Sequence, residues 1–579
     1  MNIYNIVRDK VIAVVSQLAK QHKWEDINYQ AIVVEIPNDL SHGDVSTNAA
    51  MVASKQAKKS PKDLAALIIK KLLIDEVFQD IKVAGGGFIN MILHPSYWQK
   101  ELKVILDKQD KYAKSDIGKG LRVNIEYCSA NPTGPLHIGH ARGTIYGDAL
   151  ASLLEYIGYS VTREFYVNDA GNQMKKVVES LYIRYMELCG KYHKPYPKDC
   201  YPGQYVIDAA KDLKKQYAYQ LVDIDEKKRT EIIHEFAIES TMSGVKNSLK
   251  LLGTKHDIFF YESLLHKEDK ISEVIKFLKK QEVVYKGVLE MPKGAFTTEW
   301  EEREQLLFKT TRYGDDVDRP LQKPDGSWTY FAADIAYLQN KLKRGFNKLL
   351  LVLGADHTGY QKRMEAACAA LNGGENILNT KLCQLVVFLK DGKPFKMSKR
   401  MGQFLTVDQV VKIVGKDALR FMMLTRKNDA IMEFDFSKVK EQSKDNPVFY
   451  VQYANARGHS VIENAKEQMP EALENIDKAD LSLLQDESEM ELIRLLSYWP
   501  RQVEIAATHY EPHRISFYLQ NVAAKFHAFW NRGKGDEDLR FIVKSNSALT
   551  TARLTLVQST IKIISSGLKL MGVTPVKHM

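Results

Sequence analysis

The sequence predicts a multidomain α/β protein: a Rossmann-type parallel-sheet core with a helical insertion, an N-terminal α+β domain and a C-terminal all-α bundle. Three observations carry this prediction. Residues 121–167 read strand, glycine-rich turn, helix, strand, the pattern of a βαβ unit. Residues 348–354 (KLLLVLG) and 383–389 are short apolar runs of the kind that fill buried parallel strands. Beyond about residue 410 the apolar spacing is helical, with no convincing strand pattern.

Taken in order, Ile6, Val7, Val11, Val14, Val15 and Leu18 fall at helical spacing and predict an amphipathic helix over residues 1–20. A second helix starts at Ser60-Pro61, a capping serine before a proline whose missing N–H costs nothing in a first turn, and runs through LAALIIKKLL. Residues 82–93 read as a strand broken by Gly85, Gly86 and Gly87. These elements form a unit over 1–112, ending near the polar run 108–119. Residues 113–390 form the core. Its first strand alternates apolar and polar residues over 121–127, and the turn NPTGP follows at 131–135. The helix after it carries Ile138, Ala141, Ile145, Ala149 and Leu153 on one face and stops at Gly158. Residues 161–167 alternate again. The long, charged stretch of about 175–325 reads as mostly helical, an insertion into the sheet. Residues 391–439 connect the core to an all-helical region over 440–579.

Composition narrows the function classes. With 45% hydrophobic and 27% charged residues among 579, the chain is neither disordered nor fibrous. It is long enough to bury several cores without disulfides or structural metals. Lys and Arg number 82 against 72 Asp and Glu, a net charge of +10 that suits a polyanionic partner and equally a solvated lysine-rich surface. The five cysteines are scattered with no Cys-x-x-Cys pair, which argues against a secreted disulfide framework and a thiolate zinc site. No run of about 18 apolar residues occurs, and the N-terminus lacks the apolar core and cleavage site of a signal peptide. The expectation is a cytoplasmic protein with no membrane span.

Two short segments carry chemistry. His137-Ile-Gly-His140 stands where the first parallel strand turns into its helix. Open α/β sheets bind ligands there, and a helix N-terminus attracts phosphate. Gly134 and Gly139 permit close approach of a nucleotide to the backbone. Two imidazoles three residues apart share a helix face and can donate to phosphate oxygens as charge develops. Lys396-Met397-Ser398-Lys399-Arg400 follows a strand and the turn DGKP at 391–394. Three cations in five residues suit a loop that closes on a triphosphate. Either string alone is a weak signal. Both, in this order and each at a strand end, make a strong one.

The strings NPTGPLHIGH and KMSKR resemble the two signatures of class I aminoacyl-tRNA synthetases. Over nearly its full length the chain resembles the arginyl-tRNA synthetases. This rests on HGDVSTNAA at 42–50, IEYCSANPTGPLHIGHARG at 125–143, YVNDAGNQM at 166–174, DGSWTYFAADIAY at 325–337, DALRFMML at 417–424 and NPVFYVQYANAR at 446–457. Many arginyl enzymes carry an eroded KMSK loop. Here it is whole, so its own lysines can serve the phosphates.

The resemblance implies an arginine–tRNA ligase. ATP, accompanied by Mg²⁺, activates L-arginine to an adenylate, and the arginyl group passes to the 2′-hydroxyl of the terminal adenosine of tRNA(Arg). It implies His137, His140, Lys396 and Lys399 as catalytic residues, with Gly139, Met397 and Ser398 joining them around ATP. Glu126, Asn131, His140, Tyr330 and Asp334 are the implied arginine pocket. A carboxylate taking two parallel N–H bonds selects a guanidinium. Which acid reads the guanidinium and which the α-amine stays open. Asp356 and His357 either line the substrate pocket or cap a turn, and Asn168, Asp169 and Gln173 support the site. For RNA, Phe88 and Asn90 resemble D-loop readers, with a core role for Phe88 as the alternative. Tyr450 and Tyr453 either stack on anticodon bases or pack within their bundle. The resemblance further implies a stem-contact role for 391–439, a monomer, no zinc, and activation that waits for bound tRNA. No editing site is expected in 175–325, because a charged fork permits discrimination at the first step.

Two rivals stand against this reading. A small-molecule nucleotidyltransferase shares the His-x-Gly-His turn but needs only one α/β domain. A non-catalytic RNA-binding paralogue has no reason to keep histidines and lysines together.

Overall fold

The structure is a computed structural model and describes residues 3–37, 39, 42–289, 303–394 and 405–579. Lys396, Met397, Ser398 and Lys399 lie outside the described residues.

The N-terminal helix Ile3–His22 buries Val7, Val11, Val15 and Leu18 along one stripe. Behind it stands an antiparallel sheet of β1 (Val34–Glu35), β2 (Val45–Thr47), β3 (Phe78–Ala84) and β4 (Phe88–Leu93), in the order β1-β2-β4-β3. The three glycines therefore do not break one strand; they turn a hairpin between two. Gly87 has φ +118°, and a Cβ there would fall 2.5 Å from Cβ of Pro61, so the turn packs on the start of the next helix. That helix, Pro61–Leu72, is capped by Ser60, whose Oγ accepts from the Asp63 N–H at 3.2 Å.

The core sheet begins with β5 (Arg122–Glu126), β6 (Ser160–Val167) and β7 (Ile258–Tyr261). A small antiparallel sheet follows, β8 (Val284–Gly287), β9 (Gln305–Phe308) and β10 (Arg319–Pro320), before β11 (Lys348–Gly354) and β12 (Leu378–Cys383) complete the core. All neighbours in the order β12-β11-β5-β6-β7 are parallel. The chain leaves β5 toward β6 and returns on its other side at β11, so the topological switch point lies between β5 and β11. One of these strands, β7, lies inside the stretch expected to be an insertion. The interruption is thus split into the helices of 172–251 and the segment carrying β8–β10.

Two expectations are corrected here. The apolar run 383–389 does not finish the core sheet; that strand is β12, LNTKLC, a half-covered edge whose polar residues hide it from an apolar-run reading. The run instead supplies β13 (Val386–Lys390), which pairs antiparallel with β14 (Lys393–Pro394) and parallel with β15 (Met432–Asp435). A strand therefore does occur beyond residue 410. With four residues, of which Met432 and Phe434 point inward, it is too short to register as a period.

The C-terminal part is helical, from Pro447–Gln468 to Ser547–Leu570. Its core holds Trp499, Phe526 and Phe529, all fully buried. At its junction with the core-sheet part, Arg420 is completely buried. It donates to the carbonyls of Met571 and Leu252 at 2.8 and 2.9 Å and to Asp148 Oδ2 at 2.6 Å. The last residues are also held, because Gln452 and Asn455 donate to the carbonyls of Thr574 and Val576. Among the described residues, no helix is long and apolar enough to cross a membrane.

Candidate active site

Beyond β5 the chain turns sharply. Cys128 and Ser129 have φ +72° and +28°, a left-handed region that side chains occupy only when the surroundings enforce it. Ser129 enforces it here: its Oγ donates to Glu126 Oε1 at 3.0 Å and accepts from the Tyr166 N–H at 3.0 Å. Further on, Tyr205 of the helix Gln204–Tyr217 donates its hydroxyl to the Thr133 carbonyl at 2.7 Å. A Cβ on Gly134 would meet that ring at 2.8 Å.

His137 caps the helix Ile138–Tyr156. Its N–H donates to Nδ1 of His140 at 3.3 Å, and the two imidazoles stack with centroids 3.7 Å apart. Gly139 lets them do so, since a Cβ there would lie 2.9 Å from His137 Nδ1. The two rings thus stand as one pair at a helix N-terminus at the sheet's switch point.

The chain after the KMSKR stretch docks on this same turn. Ile138 N–H donates to the Leu405 carbonyl at 3.0 Å, Val407 N–H donates to the Leu136 carbonyl at 2.9 Å, and His137 bridges Thr406. Thr406 then caps the helix Val407–Val414 through its Oγ1, which accepts from the Gln409 N–H. A second tie comes from Arg142, one turn into the histidine helix. It donates to the carbonyls of Gln384, Ala430 and Lys427, binding that helix to the sheet of β13–β15.

The acidic end of the cleft takes its groups from several elements. Glu126 and Glu164 are register partners on β5 and β6, both buried. Facing them, the helix Tyr330–Lys343 and its cap supply cations. Lys341 pairs with Glu126 Oε2 at 2.5 Å, and Arg344 binds Glu164 at 2.8 Å. Tyr337 and Asn124 also donate to Glu164. Glu126, expected to face the site, has a partner on each oxygen, Ser129 on one and Lys341 on the other.

Asp334 and Tyr330 lie one turn apart on that helix, with Tyr330 as its first residue and 59% exposed. The Asp334 carboxyl is pushed up to about 7 by burial and then by repulsion from Glu262 and Glu126, against a hydrogen bond from Tyr360 and the charge of Arg363. Glu262, buried directly after β7, is a fourth acid, and like Glu164 it is one that the sequence reading missed. The signal was available as an acid ending the apolar run IFFY, but that run was read as part of an insertion.

Other expected residues fall into supporting roles. Asn131 donates to Gln173 Oε1 at 3.0 Å, joining the turn to the helix after β6. Asn168 Oδ1 accepts from the Gly171 N–H, and buried Asp169 accepts from the Ser263 N–H at 2.8 Å, so both hold backbone. Asp356 and His357 are exposed after β11, 3.7 Å apart.

The four RNA candidates lie on two elements, Phe88 and Asn90 on β4 and Tyr450 and Tyr453 on the helix Pro447–Gln468. Phe88 is 42% exposed on β4, which removes the core alternative. Asn90 is buried and its Oδ1 accepts from Ser46 at 2.7 Å. Tyr453 is exposed beneath the Arg457 guanidinium, whereas Tyr450 is half-buried against His527. Among the described residues, no group of three or more His, Cys, Asp or Glu side chains is arranged to hold a metal ion.

Comparison with known proteins matches this architecture segment by segment. Residues 5–93 match the family described as arginyl tRNA synthetase N terminal domain. Residues 101–455 match tRNA synthetases class I (R), catalytic domain, and residues 451–579 match the DALR anticodon binding domain. An arginine–tRNA ligase of Rickettsia africae is 46% identical over the full length of both chains. The chain belongs to the arginyl-tRNA synthetase family. Two solved structures agree in fold. One, a putative arginyl-tRNA synthetase of Campylobacter jejuni, shares 31% identity at TM-score 0.73, covering 84% of this chain and 100% of its own. The arginyl-tRNA synthetase of Thermus thermophilus, at 19% identity, superposes over 100% of both chains with TM-score 0.74. As an arginyl-tRNA synthetase of class I, the chain carries the family's histidine signature as the stacked pair on the switch-point turn.

Proposed function

We propose that the chain joins L-arginine to tRNA(Arg) in the two steps of its class. A carboxylate oxygen of arginine attacks the α-phosphorus of Mg²⁺-bound ATP, forming the arginyl–adenylate bond as the bond to pyrophosphate breaks. The 2′-hydroxyl of the terminal adenosine then attacks the arginyl carbonyl and AMP leaves. The observation that carries this reading is the docking of Leu405, Thr406 and Val407 on the His137–His140 turn. Lys399 stands six residues before Leu405, a covalent reach on the order of 20 Å at ~3.6 Å per residue. In this reading both signatures serve one cleft.

In this reading, His137 and His140 donate to the ATP phosphates beside Gly139. Lys396 and Lys399, with Met397 and Ser398, cover the β- and γ-phosphates. Asp334, Glu126 and Glu262 receive the guanidinium, with Tyr330 over its entrance and Asn131 toward the α-carbon end. Catalysis is positioning and charge stabilisation rather than covalent work by the protein.

The flanking parts are RNA-reading surfaces. Residues 1–112 present Phe88 for base stacking at the D-loop, while the buried Asn90 holds Ser46 of the neighbouring strand. Residues 391–439 meet the acceptor stem, and 440–579 offer the exposed Tyr453 and the half-buried Tyr450 to the anticodon. We assign the activity to a single chain in the cytoplasm, with arginine activated only once tRNA is bound.

ATP–pyrophosphate exchange with each of the twenty amino acids, with and without total tRNA, tests the reading. Exchange with arginine in the presence of tRNA is expected. Exchange driven by another amino acid would overturn the substrate, and exchange without tRNA would overturn the order.

A further inference from the structure

The acid pair on β5 and β6 poses an electrostatic problem that the fold has to solve. Glu126 and Glu164 are register partners on adjacent parallel strands, both buried, and adjacent strands stand about 4.8 Å apart. Two carboxylates this close do not both stay ionised away from water unless cations balance them. Asp334, nearby, shows the alternative: its carboxyl holds a proton up to about pH 7. Lys341 and Arg344 lie three residues apart, so the facing helix and its cap deliver two cations to one side, one for each glutamate. Arg344 binds Glu164, which also accepts from Tyr337 and Asn124 and is saturated. Among the described residues, Glu126 receives Ser129 on one oxygen and Lys341 on the other, which leaves lone pairs unused on each.

We propose that Lys341 is a positioning residue for arginine recognition: packed on the Tyr337 ring and paired with Glu126, it keeps that carboxylate turned so that its remaining lone pairs meet the incoming guanidinium. The ammonium lies 4.5 Å from the Tyr337 ring centroid, and with both Lys341 and Glu126 buried the pair is fixed rather than a mobile surface contact. Lys341 touches no substrate in this scheme. It acts through Glu126, and the proposal rests on the reading of Glu126 as part of the arginine pocket.

Aminoacylation by the full chain with tRNA(Arg), ATP and varied arginine tests it in three variants. Lys341→Met is expected to raise KM for arginine by about tenfold or more, with kcat within threefold and KM for ATP unchanged. Lys341→Arg, which keeps the charge, is expected to return KM to within about threefold of the parent. In Glu126→Gln the lysine has nothing left to position, so Lys341→Met added to it changes KM no further. Should Lys341→Met alone fail to fold, the double variant, which carries no unpaired buried charge, makes the same comparison against Glu126→Gln. Equal loss of kcat, KM for ATP and KM for arginine, or additive effects in the double variant, would overturn the proposal. An unchanged KM for arginine in Glu126→Gln alone would instead remove Glu126 from the pocket and sink the reading beneath it.

Discussion

The turn over residues 128–140 and the acid cluster around Lys341 sit at the same edge of one sheet and manage charge in opposite ways. The turn is made of backbone: left-handed Cys128 and Ser129, glycines that admit close neighbours, a helix N-terminus and two stacked imidazoles. It needs no buried counter-charge because its field comes from aligned N–H groups. The cluster is made of side chains, four acids set against Lys341, Arg344 and Arg363, and one of those acids, Asp334, is pushed up to about 7 by burial. In the proposed reading, the polyanion site is prefabricated from the main chain, whereas the site for one cation works by withholding one charge.

The sharpest way to break the comparison is at the imidazoles. His140→Ala is expected to slow tRNA-dependent exchange by about 10²- to 10³-fold while tRNA affinity, measured by filter binding, stays within twofold. An unimpaired exchange rate would strip the turn of its role. Next comes the withheld charge. Below about pH 7 the Asp334 carboxyl keeps its proton and offers the guanidinium no anion, so kcat/KM for arginine should fall by about tenfold per pH unit on the acid side and level off above it. The same limb should vanish in Asp334→Asn, leaving a low, flat profile. A smaller effect is expected at Gly139→Ala. There the added methyl meets His137 at 2.9 Å, and pushing the rings apart should cost roughly tenfold in kcat/KM for ATP, with KM for arginine unmoved. The smallest is a control remote from both ends. Ser60→Ala removes a helix cap and should lower unfolding stability by about 1 kcal/mol in denaturant titration, with kinetics unchanged.

The same contrast explains what could be read from the sequence. The nucleotide end is local: strand, turn and helix run consecutively, so NPTGPLHIGH announces its own structure. The arginine end is not. Lys341 is an ordinary helix lysine until the fold lays it against Glu126, 215 residues away. Glu262 was hidden because its strand, β7, is four residues long and sits between helices. Likewise β12 escaped detection because an edge strand alternates polar and apolar residues, and the apolar run beside it drew the assignment. Resemblance supplied Glu126 and Asp334 as pocket residues. It could not supply their state: one acid already paired, the other holding its proton near neutrality.

One buried guanidinium has a practical corollary for anyone handling this polypeptide. Arg420 leans at once on the histidine helix through Asp148, on the long inserted helix through Leu252, and on Met571, eight residues from the last. Clipping the final ten residues, or crowding them with a fusion tag, would unpin a hub shared with the segment that holds the imidazoles. A lesion at the extreme carboxyl terminus should therefore register as slower adenylate formation.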